Sequence, residues 1–479
     1  MASIHCDVAV IGAGTAGMSA HRVAQRAGKK ALLIEAGDYG TTCAREACMP
    51  SKLLIEAANR AHDVARAGAF GIEVPAGTRI NAQAVLERVR SERDRFVGSV
   101  LDQIAGIPKE LHLRARARFV GPNTLELDDG RTVEARAIVV AAGSSAWLPD
   151  SVKAVADRLM RSEDVFNLEQ FPASLAIFGP GVVGLELGQA LQRLGTRVSF
   201  FSPLAELGNV SDALIRDVVL DVLGESMAFR LDCARLEALP AADGGVCVRW
   251  CGPDGQAKEQ HFERLLVTTG RRPAIAALGF EHTGLALADN GVPLFDHHTM
   301  QCGTSSIFLA GDVSGEHMVL HEAADEGRIA GDNAVRYPEV RGHLRRTPLS
   351  IVFTDPQMAV VGRRFVDLNP DQIEWGESSY DNQGRARIMG KNAGKVRVYA
   401  SRETGCLLGA ELFAPGAEHT AHLLAWAVQA KLSAFEALQK SFYHPVLEEG
   451  IRSALRNLSD RLHLTPDIAN FGLRYGPGA

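Results

Sequence analysis

Residues 7–17 read DVAVIGAGTAG, a short apolar run that ends in a glycine-rich turn. The run predicts a buried strand, and the pattern that continues to about residue 27 predicts a helix. Between them, Gly12, Gly14 and Gly17 allow a tight turn and let the backbone approach a pyrophosphate. The free N–H groups and the dipole at the start of the helix favour that anion. The stretch therefore predicts an α/β domain that binds a dinucleotide.

An acidic residue follows at the end of the next predicted strand. Residues 32–34 are Leu-Leu-Ile, and Glu35 comes 18 residues after Gly17. A carboxylate at this position can accept hydrogen bonds from the ribose of an adenosine. A glycine triplet alone is a weak signal, but the order of strand, glycine turn, helix and acid favours a dinucleotide site.

The same unit recurs 167 residues later, with Gly179, Gly181 and Gly184 between an apolar run and a second helical pattern. Two dinucleotide sites are therefore predicted in one chain. The strand that follows the second unit ends at Ser202, where NAD-binding proteins carry an acid and NADP-binding proteins carry basic residues. The chain has neither signature. No arginine lies between residues 202 and 207 to hold a 2′-phosphate, so we favour NAD and leave NADP open.

Three further apolar runs, residues 137–140, 264–267 and 307–310, read as strands that end at cofactor-facing loops. The carboxylate of Asp312 could bind a sugar or ribityl hydroxyl, or it could cap the helix that follows. Its position at a strand end favours binding. The residues at these strand ends that we predict to contact cofactors are Gly143, Gly270, Arg271, Gly311 and Asp312.

Length and composition indicate a globular protein of about three domains, at roughly 150 residues per domain over 479 residues. The formal charge of -6 gives no positive field for nucleic acid or an anionic membrane. The sequence shows neither a signal-peptide pattern nor a long apolar segment. We therefore expect a soluble cytoplasmic protein, with no nucleic-acid or membrane partner.

The charged stretch of residues 335–347, which contains Pro338, predicts a domain boundary near residue 346. Beyond it, residues 349–361, 396–400 and 407–413 read as strands and residues 418–430 as a helix. This pattern predicts an α+β domain without a glycine fingerprint. The predicted division of the chain is residues 1–150 with 271–345, residues 151–270, and residues 346–479.

Cys43 and Cys48 lie in the segment CAREACMPSK, residues 43–52, and are the only cysteines in an obvious chemical setting. A regular helix would separate their Cα atoms by roughly 8.7 Å, so a disulfide requires a distorted first turn. Pro50 suits a helix start. The helix dipole, Arg45 and Lys52 should favour the Cys48 thiolate. Two buried structural cysteines are the alternative. The other six are interpreted as packing or surface residues: Cys6, Cys233, Cys247, Cys251, Cys302 and Cys406.

Taken in order, the first fingerprint, Cys-x4-Cys-x-Pro-Ser-Lys, the second fingerprint and the Gly-Asp strand end resemble the class I pyridine nucleotide-disulfide oxidoreductases. The resemblance spans essentially the whole chain. Within that family, Pro-Ser-Lys, the run GLELG at residues 184–188, and His444-Pro445 with Glu449 are most similar to the dihydrolipoamide dehydrogenases. The resemblance to this family implies two Rossmann-like domains that bind FAD and NAD(P), and a C-terminal α+β dimerisation domain.

The resemblance also implies roles for individual residues. Cys43 would be the outer thiol that exchanges with substrate, and Cys48 the inner thiol that faces the flavin. Lys52 would lie near the flavin and pair with Glu186. His444 would be a base oriented by Glu449 and placed across a subunit interface, so the protein would be a homodimer. Further cofactor contacts implied by the resemblance are Thr42 and Val319.

The implied activity is FAD-dependent oxidation of a dihydrolipoyl-type dithiol, with hydride transfer to NAD+ and with a lipoylated carrier protein as a candidate partner. An NAD(P)H-dependent disulfide or mercuric-type reductase, and a non-catalytic redox sensor, stay open. Arg45, Ala47, Val446 and the pair Phe442-Tyr443 depart from the usual pattern and indicate an altered substrate channel. No metal is expected, because the segment around His317 and His321 matches a flavin-contacting loop.

Overall fold

A computed structural model describes residues 3–463 of the chain. Its first part alternates strands and helices, as the sequence predicts. The helices and strands of this first part, up to residue 140, are β1 (Ser3–Ile11), α1 (Thr15–Arg26), β2 (Ala31–Glu35), α2 (Thr42–Arg45), α3 (Cys48–Arg66), α4 (Ala82–Ala105), β3 (His112–Arg114), β4 (Ala117–Gly121), β5 (Thr124–Leu127) and β6 (Thr132–Val140).

The second part begins after β7 (Ser144–Ala146), a short connecting strand. It contains a parallel sheet and a separate antiparallel sheet. Its elements are β8 (Leu159–Met160), β9 (Ser174–Phe178), α5 (Val182–Arg193), β10 (Arg197–Phe201), α6 (Ala213–Gly224), β11 (Ala228–Arg230), β12 (Ala234–Pro240), β13 (Val246–Cys251), β14 (Ala257–Phe262) and β15 (Arg264–Val267).

The chain then returns to the first part through β16 (Arg271–Pro273), which pairs antiparallel with β7. The strand β17 (Ile307–Leu309) joins the first sheet beside β6, and α7 (Leu320–Arg336) packs against α1. The first sheet has the order β3-β2-β1-β6-β5-β4 with β17 paired to β6, and the second has the order β11-β10-β9-β15-β8. The antiparallel sheet has the order β12-β13-β14.

The third part is an antiparallel sheet covered by helices. Its sheet has the order β18-β19-β22-β21-β20. Its elements are β18 (Leu349–Val352), β19 (Gln357–Gly362), β20 (Ile373–Ser379), α8 (Gly384–Ile388), β21 (Lys395–Ser401), β22 (Leu407–Ala414), α9 (Ala417–Gln429), α10 (Ala434–Leu438) and α11 (Glu449–Arg461). The last part of the predicted third domain, residues 464–479, lies outside the described residues.

The prediction of one strand over residues 349–361 is wrong. The structure has two antiparallel strands, β18 and β19, separated by residues 353–356. Pro356 lacks an N–H group for a strand ladder, and Asp-Pro is a turn signal, so the run breaks there. This loop reaches the candidate site described below.

The predicted fold class is confirmed, with two dinucleotide-binding α/β parts and a third α+β part. In the first part a glycine turn follows β1 and leads into α1, and in the second part a glycine turn follows β9 and leads into α5. The numerical domain boundaries stay predictions. Among residues 3–463, no helix combines the length and the apolar character needed to cross a bilayer.

Candidate functional site

The first glycine turn has the geometry of a dinucleotide-binding loop. Gly12 has a φ of +103°, and a Cβ there would lie 2.2 Å from the carbonyl oxygen of Ala141, directly after the neighbouring strand β6. A Cβ on Gly17 would lie 1.8 Å from the carbonyl oxygen of Gly12, so only glycine lets α1 start this close to β1. A Cβ on Gly14 would meet open space. The loop therefore leaves room above Gly14 for a phosphate.

Both helices that follow the glycine turns start without a side-chain cap. Gly14 precedes α1 and Gly181 precedes α5, and glycine has no side chain that could cap the first N–H groups of either helix. The first N–H groups of each helix have no partner within the helix. These groups fit the pyrophosphate of a dinucleotide.

A cleft above the first turn collects five of the residues predicted to bind the first dinucleotide. The carboxylate of Glu35 points into the glycine loop, where it accepts hydrogen bonds from Ala13 N and Gly37 N, both at 2.7 Å. Its remaining lone pairs are available for ribose hydroxyls. The predicted cofactor residues that line this cleft are Gly12, Gly14, Glu35, Thr42 and Gly143. The donors and the shape fit the adenosine diphosphate half of FAD.

The Gly311-Asp312 strand end is tied to the same region. Ser144, next to Gly143, donates a hydrogen bond of 2.7 Å from its Oγ to Asp312 Oδ2, and Arg271 Nε donates to the same Oγ at 2.7 Å. Asp312 is the first residue of a single 3-10 turn, Asp312–Ser314, and its carboxylate accepts the hydrogen bond from Ser144 instead of capping a longer helix. Val319 directly precedes α7. Contacts of these residues with the flavin stay predictions.

The second glycine turn repeats the first. Gly179 has a φ of +97°, and a Cβ there would lie 2.6 Å from Thr268 O; a Cβ on Gly184 would lie 2.3 Å from Gly179 O. Gly270 ends the loop after β15 with a φ of +116°. This turn also fits a dinucleotide.

At the end of β10, the buried Ser202 accepts a hydrogen bond at Oγ from Leu204 N at 3.0 Å. Its own N–H group donates to Arg230 O at 3.0 Å. This contact is made by the backbone carbonyl of Arg230 on the neighbouring strand β11, while the Arg230 guanidinium donates to Phe229 O at 3.3 Å.

Cys43 and Cys48 lie on either side of a break between two helices. α2 ends at Arg45 and α3 begins at Cys48, so the distorted turn that a disulfide would require is present. Pro50 lies in the first turn of α3, two positions later than a proline at the first helical position. Both cysteines are present as thiols.

The two thiols have opposite pKa shifts. The hydrogen-bond interaction with Cys43 lowers the pKa of Cys48 to about 7; burial opposes this shift, and the positive charge of Lys52 supports it. The same interaction, together with burial, raises the pKa of Cys43. The proton of the reduced pair therefore stays on Cys43, and the thiolate forms on Cys48, as the sequence analysis predicts.

The expected contribution of Arg45 to this thiolate is wrong. Its guanidinium pairs with the carboxylates of Asp38 and Glu46, at 3.6 and 3.1 Å, and donates to Asp38 O at 2.7 Å. These acceptors neutralise its charge locally. Lys52 is therefore the cation that acts on Cys48.

Lys52 and Glu186 form the predicted ion pair, with 2.5 Å between Lys52 Nζ and Glu186 Oε2. The pair joins α3 of the first part to α5 of the second. The other carboxylate oxygen, Oε1, accepts a hydrogen bond from Phe353 N at 2.9 Å, and Lys52 Nζ lies 4.5 Å from the centre of the Phe353 ring. Glu186 therefore connects all three parts of the chain.

The loop after β18 adds further contacts that the sequence analysis missed. Asp355 exchanges backbone hydrogen bonds with the Gln189 side chain and pairs with Arg193 at 3.1 Å. Arg193 also donates to Asn59 Oδ1 at 2.6 Å. The Asp-Pro turn signal could have revealed this loop, but its partners on α3 and α5 follow only from the fold.

His444 and Glu449 form the predicted pair, with 3.0 Å between His444 Nδ1 and Glu449 Oε1. This hydrogen bond lowers the pKa of Glu449, and Val446 N donates to the second carboxylate oxygen at 3.2 Å. The His444 side chain is 79% exposed. The imidazole is therefore accessible to a partner molecule.

Two family models match the chain. The pyridine nucleotide-disulphide oxidoreductase model matches residues 6–327, and the dimerisation-domain model of the same family matches residues 349–455. The chain belongs to the pyridine nucleotide-disulphide oxidoreductase family. FAD and NAD(H) are the cofactors of this family, and the two glycine turns fit them. The dimerisation domain supports a homodimer.

Among curated relatives, dihydrolipoyl dehydrogenase of Geobacillus stearothermophilus is 27% identical over 455 residues, covering 93% of this chain and 95% of the relative. The mitochondrial dihydrolipoyl dehydrogenase of Rattus norvegicus is 29% identical and covers 94% and 90%. The HOCl-induced flavoprotein disulfide reductase RclA of Escherichia coli, in its Cu(II) complex, has a similar structure, with a TM-score of 0.81 at 21% identity over 96% of this chain and 100% of that chain. LpdA of Mycobacterium tuberculosis has a TM-score of 0.80 at 24% identity, over 94% and 99%.

Proposed function

We propose that this protein is a homodimeric, FAD-dependent dithiol-disulfide oxidoreductase of the dihydrolipoyl dehydrogenase type, which passes the electrons of a dihydrolipoyl-type dithiol to NAD+. The observation that carries the proposal is the cysteine pair at the break between α2 and α3, in which the pKa of Cys48 is lowered and the pKa of Cys43 is raised. The dihydrolipoyl dehydrogenases among the relatives support this choice of substrate.

The exchange begins with the pair oxidised. A substrate thiolate attacks Cys43 Sγ, the Cys43–Cys48 bond breaks, and Cys48 leaves as a thiolate. Its lowered pKa makes Cys48 the better leaving group of the two sulfurs. The second substrate thiolate then attacks the substrate sulfur of the mixed disulfide and releases Cys43. The substrate leaves as a disulfide, and the two electrons remain on the cysteine pair.

The pair of His444 and Glu449 takes up the protons of the substrate thiols. The hydrogen bond to Glu449 keeps the proton on Nδ1 of the neutral imidazole, which leaves Nε2 as the proton acceptor. The carboxylate also stabilises the imidazolium that forms. We assign this pair to the active site of the partner subunit, because its exposure suits an interface and the domain that carries it is the family's dimerisation domain.

Bound FAD supplies a two-electron acceptor between the cysteine pair and the nicotinamide. Gly12, Gly14, Glu35 and Asp312 would hold it, and Lys52, kept in place by Glu186, would lie near its ring. The second glycine turn would hold NAD+. The cytoplasmic location and a lipoylated carrier protein as partner stay predictions.

The proposal is tested by steady-state oxidation of dihydrolipoamide with NAD+. We expect Cys43→Ser and Cys48→Ser each to lower kcat/KM by at least about 10³-fold with FAD retained, since each sulfur has a separate role. Cys251→Ser, a cysteine on a remote strand, is the matched control and should keep full activity. Full activity of Cys48→Ser would overturn the proposed electron path.

A substrate panel separates the alternatives. Glutathione disulfide and Hg²⁺ are each offered with NADH and with NADPH. Faster reduction of either of them than oxidation of dihydrolipoamide would assign the protein to the reductase alternative. Turnover of none of these substrates, with FAD bound, would favour the redox sensor.

A further inference from the structure

One face of the three-stranded sheet β12-β13-β14 brings together three side chains of types that can bind metals. Cys247 on β13 is the register partner of His261 on β14, and Glu259 lies two residues before His261, on the same face of the strand. One donor atom from each side chain lies within 4.8 Å of the other two.

We propose that Cys247, Glu259 and His261 form a Zn²⁺ site with a water as fourth ligand. Thiolate, imidazole and carboxylate are the donors that zinc prefers, and three protein ligands with one open position form a recurrent zinc geometry. Bonds of about 2.0–2.3 Å place the ligand atoms of a tetrahedron about 3.5 Å apart. The donor atoms must therefore move about 1 Å closer to one another, and rotation of the side chains allows this movement. The proposal uses no residue of the dithiol site.

The surroundings of the three donors suit this assignment. Glu259 Oε2 accepts a hydrogen bond of 3.0 Å from Arg249 Nε, which orients the carboxylate. Within the described residues, the exposed imidazole of His261 has no hydrogen-bond or ion-pair partner. Cys247 is buried beneath both, with its Sγ 4.0 Å from Glu259 Oε2. The site is thus one buried sulfur covered by two exposed side chains that can rotate onto the metal.

Metal binding at this site should release a proton. Burial raises the pKa of the Cys247 thiol, and Glu259 adds to the shift. The charged and titratable groups around the sulfur are Glu237 on β12, Arg249 on its own strand, and Glu259 and His261 on β14. Because zinc binds the thiolate, we expect the affinity to rise with pH and about one proton to be released per metal near neutral pH.

The experiment uses the FAD-loaded protein with the Cys43–Cys48 pair oxidised, so that these two sulfurs cannot bind metal. Zn²⁺ is added against a competing chelator, and Co²⁺ is added in parallel to report thiolate coordination by its charge-transfer absorption. We expect one equivalent per chain, the thiolate band, and protection of Cys247 from alkylation as mapped by mass spectrometry.

Cys247→Ser and His261→Gln should each weaken binding by at least about tenfold and, for Cys247→Ser, abolish the thiolate band. Cys251→Ser, which changes a cysteine on the same strand outside the cluster, should bind as the wild type does. His261 is exposed, so its variant tests the site even if Cys247→Ser does not fold. Equal affinity of the wild type and His261→Gln, or no protection of Cys247, would overturn the proposal. Because every readout is metal binding, dithiol activity does not affect the result.

Discussion

The reactivity of Cys48 depends on two neighbouring side chains. The thiol of Cys43 interacts with it by hydrogen bonding, and Lys52 provides the positive charge, whereas the charge of Arg45 is taken up by Asp38 and Glu46. Cys43 has the opposite shift, so the two sulfurs are chemically distinct before any substrate binds. This difference determines which sulfur leaves during exchange.

The pKa of Cys48 predicts a pH profile for the reduced enzyme. Only the thiolate reacts with iodoacetamide, so the alkylation rate of Cys48 should rise with pH, reach half its limit at about pH 7, and level off above it. The alkylation rate of Cys43 should still be rising above pH 7, because the pKa of Cys43 is raised. Mass spectrometry of timed samples separates the two sites. A midpoint of Cys48 near that of a free cysteine, at about 8.5, would contradict the prediction.

The effect of the Lys52 charge on the Cys48 thiolate can be tested by substitution. Lys52→Met removes the cation that favours the Cys48 thiolate, so the alkylation midpoint should rise by about one pH unit. Lys52→Arg keeps a positive charge and should leave the midpoint almost unchanged. If both variants retain the wild-type midpoint, the hydrogen-bond interaction with Cys43 alone accounts for the shift.

Among the elements, α1 depends on its contact with the first glycine turn. A Cβ at position 17 would collide with the carbonyl oxygen of Gly12, so Gly17→Ala must push α1 away from β1. We expect this variant to be purified with less than about a tenth of the normal FAD content, since the helix start no longer meets the pyrophosphate. Gly98→Ala, on α4 where a Cβ meets open space, is the control and should retain FAD. Absorbance of the released flavin measures the outcome.

A second contact between elements joins β22 to the start of α6. The fully buried carboxylate of Glu411 accepts hydrogen bonds from Ser211 N, Ser211 Oγ, Asp212 N and Phe365 N, at 2.5–3.0 Å. Glu411→Ala leaves these donors without an acceptor and should lower the thermal unfolding midpoint by about 5 °C. Glu403→Ala, on an exposed turn of the same domain, should shift it by no more than about 1 °C. Equal shifts would show that this contact does not hold the domains together.

For the whole molecule, the placement of His444 predicts how subunits complement each other. If each site combines the cysteine pair of one subunit with His444 of the other, a hybrid of Cys48→Ser and His444→Gln subunits contains one intact site. Random co-assembly makes about half of the dimers hybrids, so about a quarter of wild-type activity should return. Each variant alone should be inactive with FAD bound. No recovery in verified hybrids would place both groups in one subunit.

Much of this fold could be predicted from local patterns. The glycine turns, the strands before them and the cysteine segment are short stretches whose chemistry depends on neighbours in the chain, and the structure contains them at the predicted positions. The ion pair of Lys52 and Glu186 came from a family resemblance. The division of residues 349–361 into two strands was not predicted, because the Asp355-Pro356 turn lies between two apolar stretches that read as one run.

The sequence by itself determined the two dinucleotide units and the spacing of Cys43 and Cys48, because these features depend on backbone freedom and on residues close in the chain. Only the tertiary structure decided which charges act on Cys48, how Phe353 N joins the Glu186 carboxylate, and where the backbone carbonyl of Arg230 meets Ser202 N. It also decided that Cys247 lies beside His261, 14 positions away. Such contacts depend on strand register and domain packing, which place residues together across distances that no local pattern records.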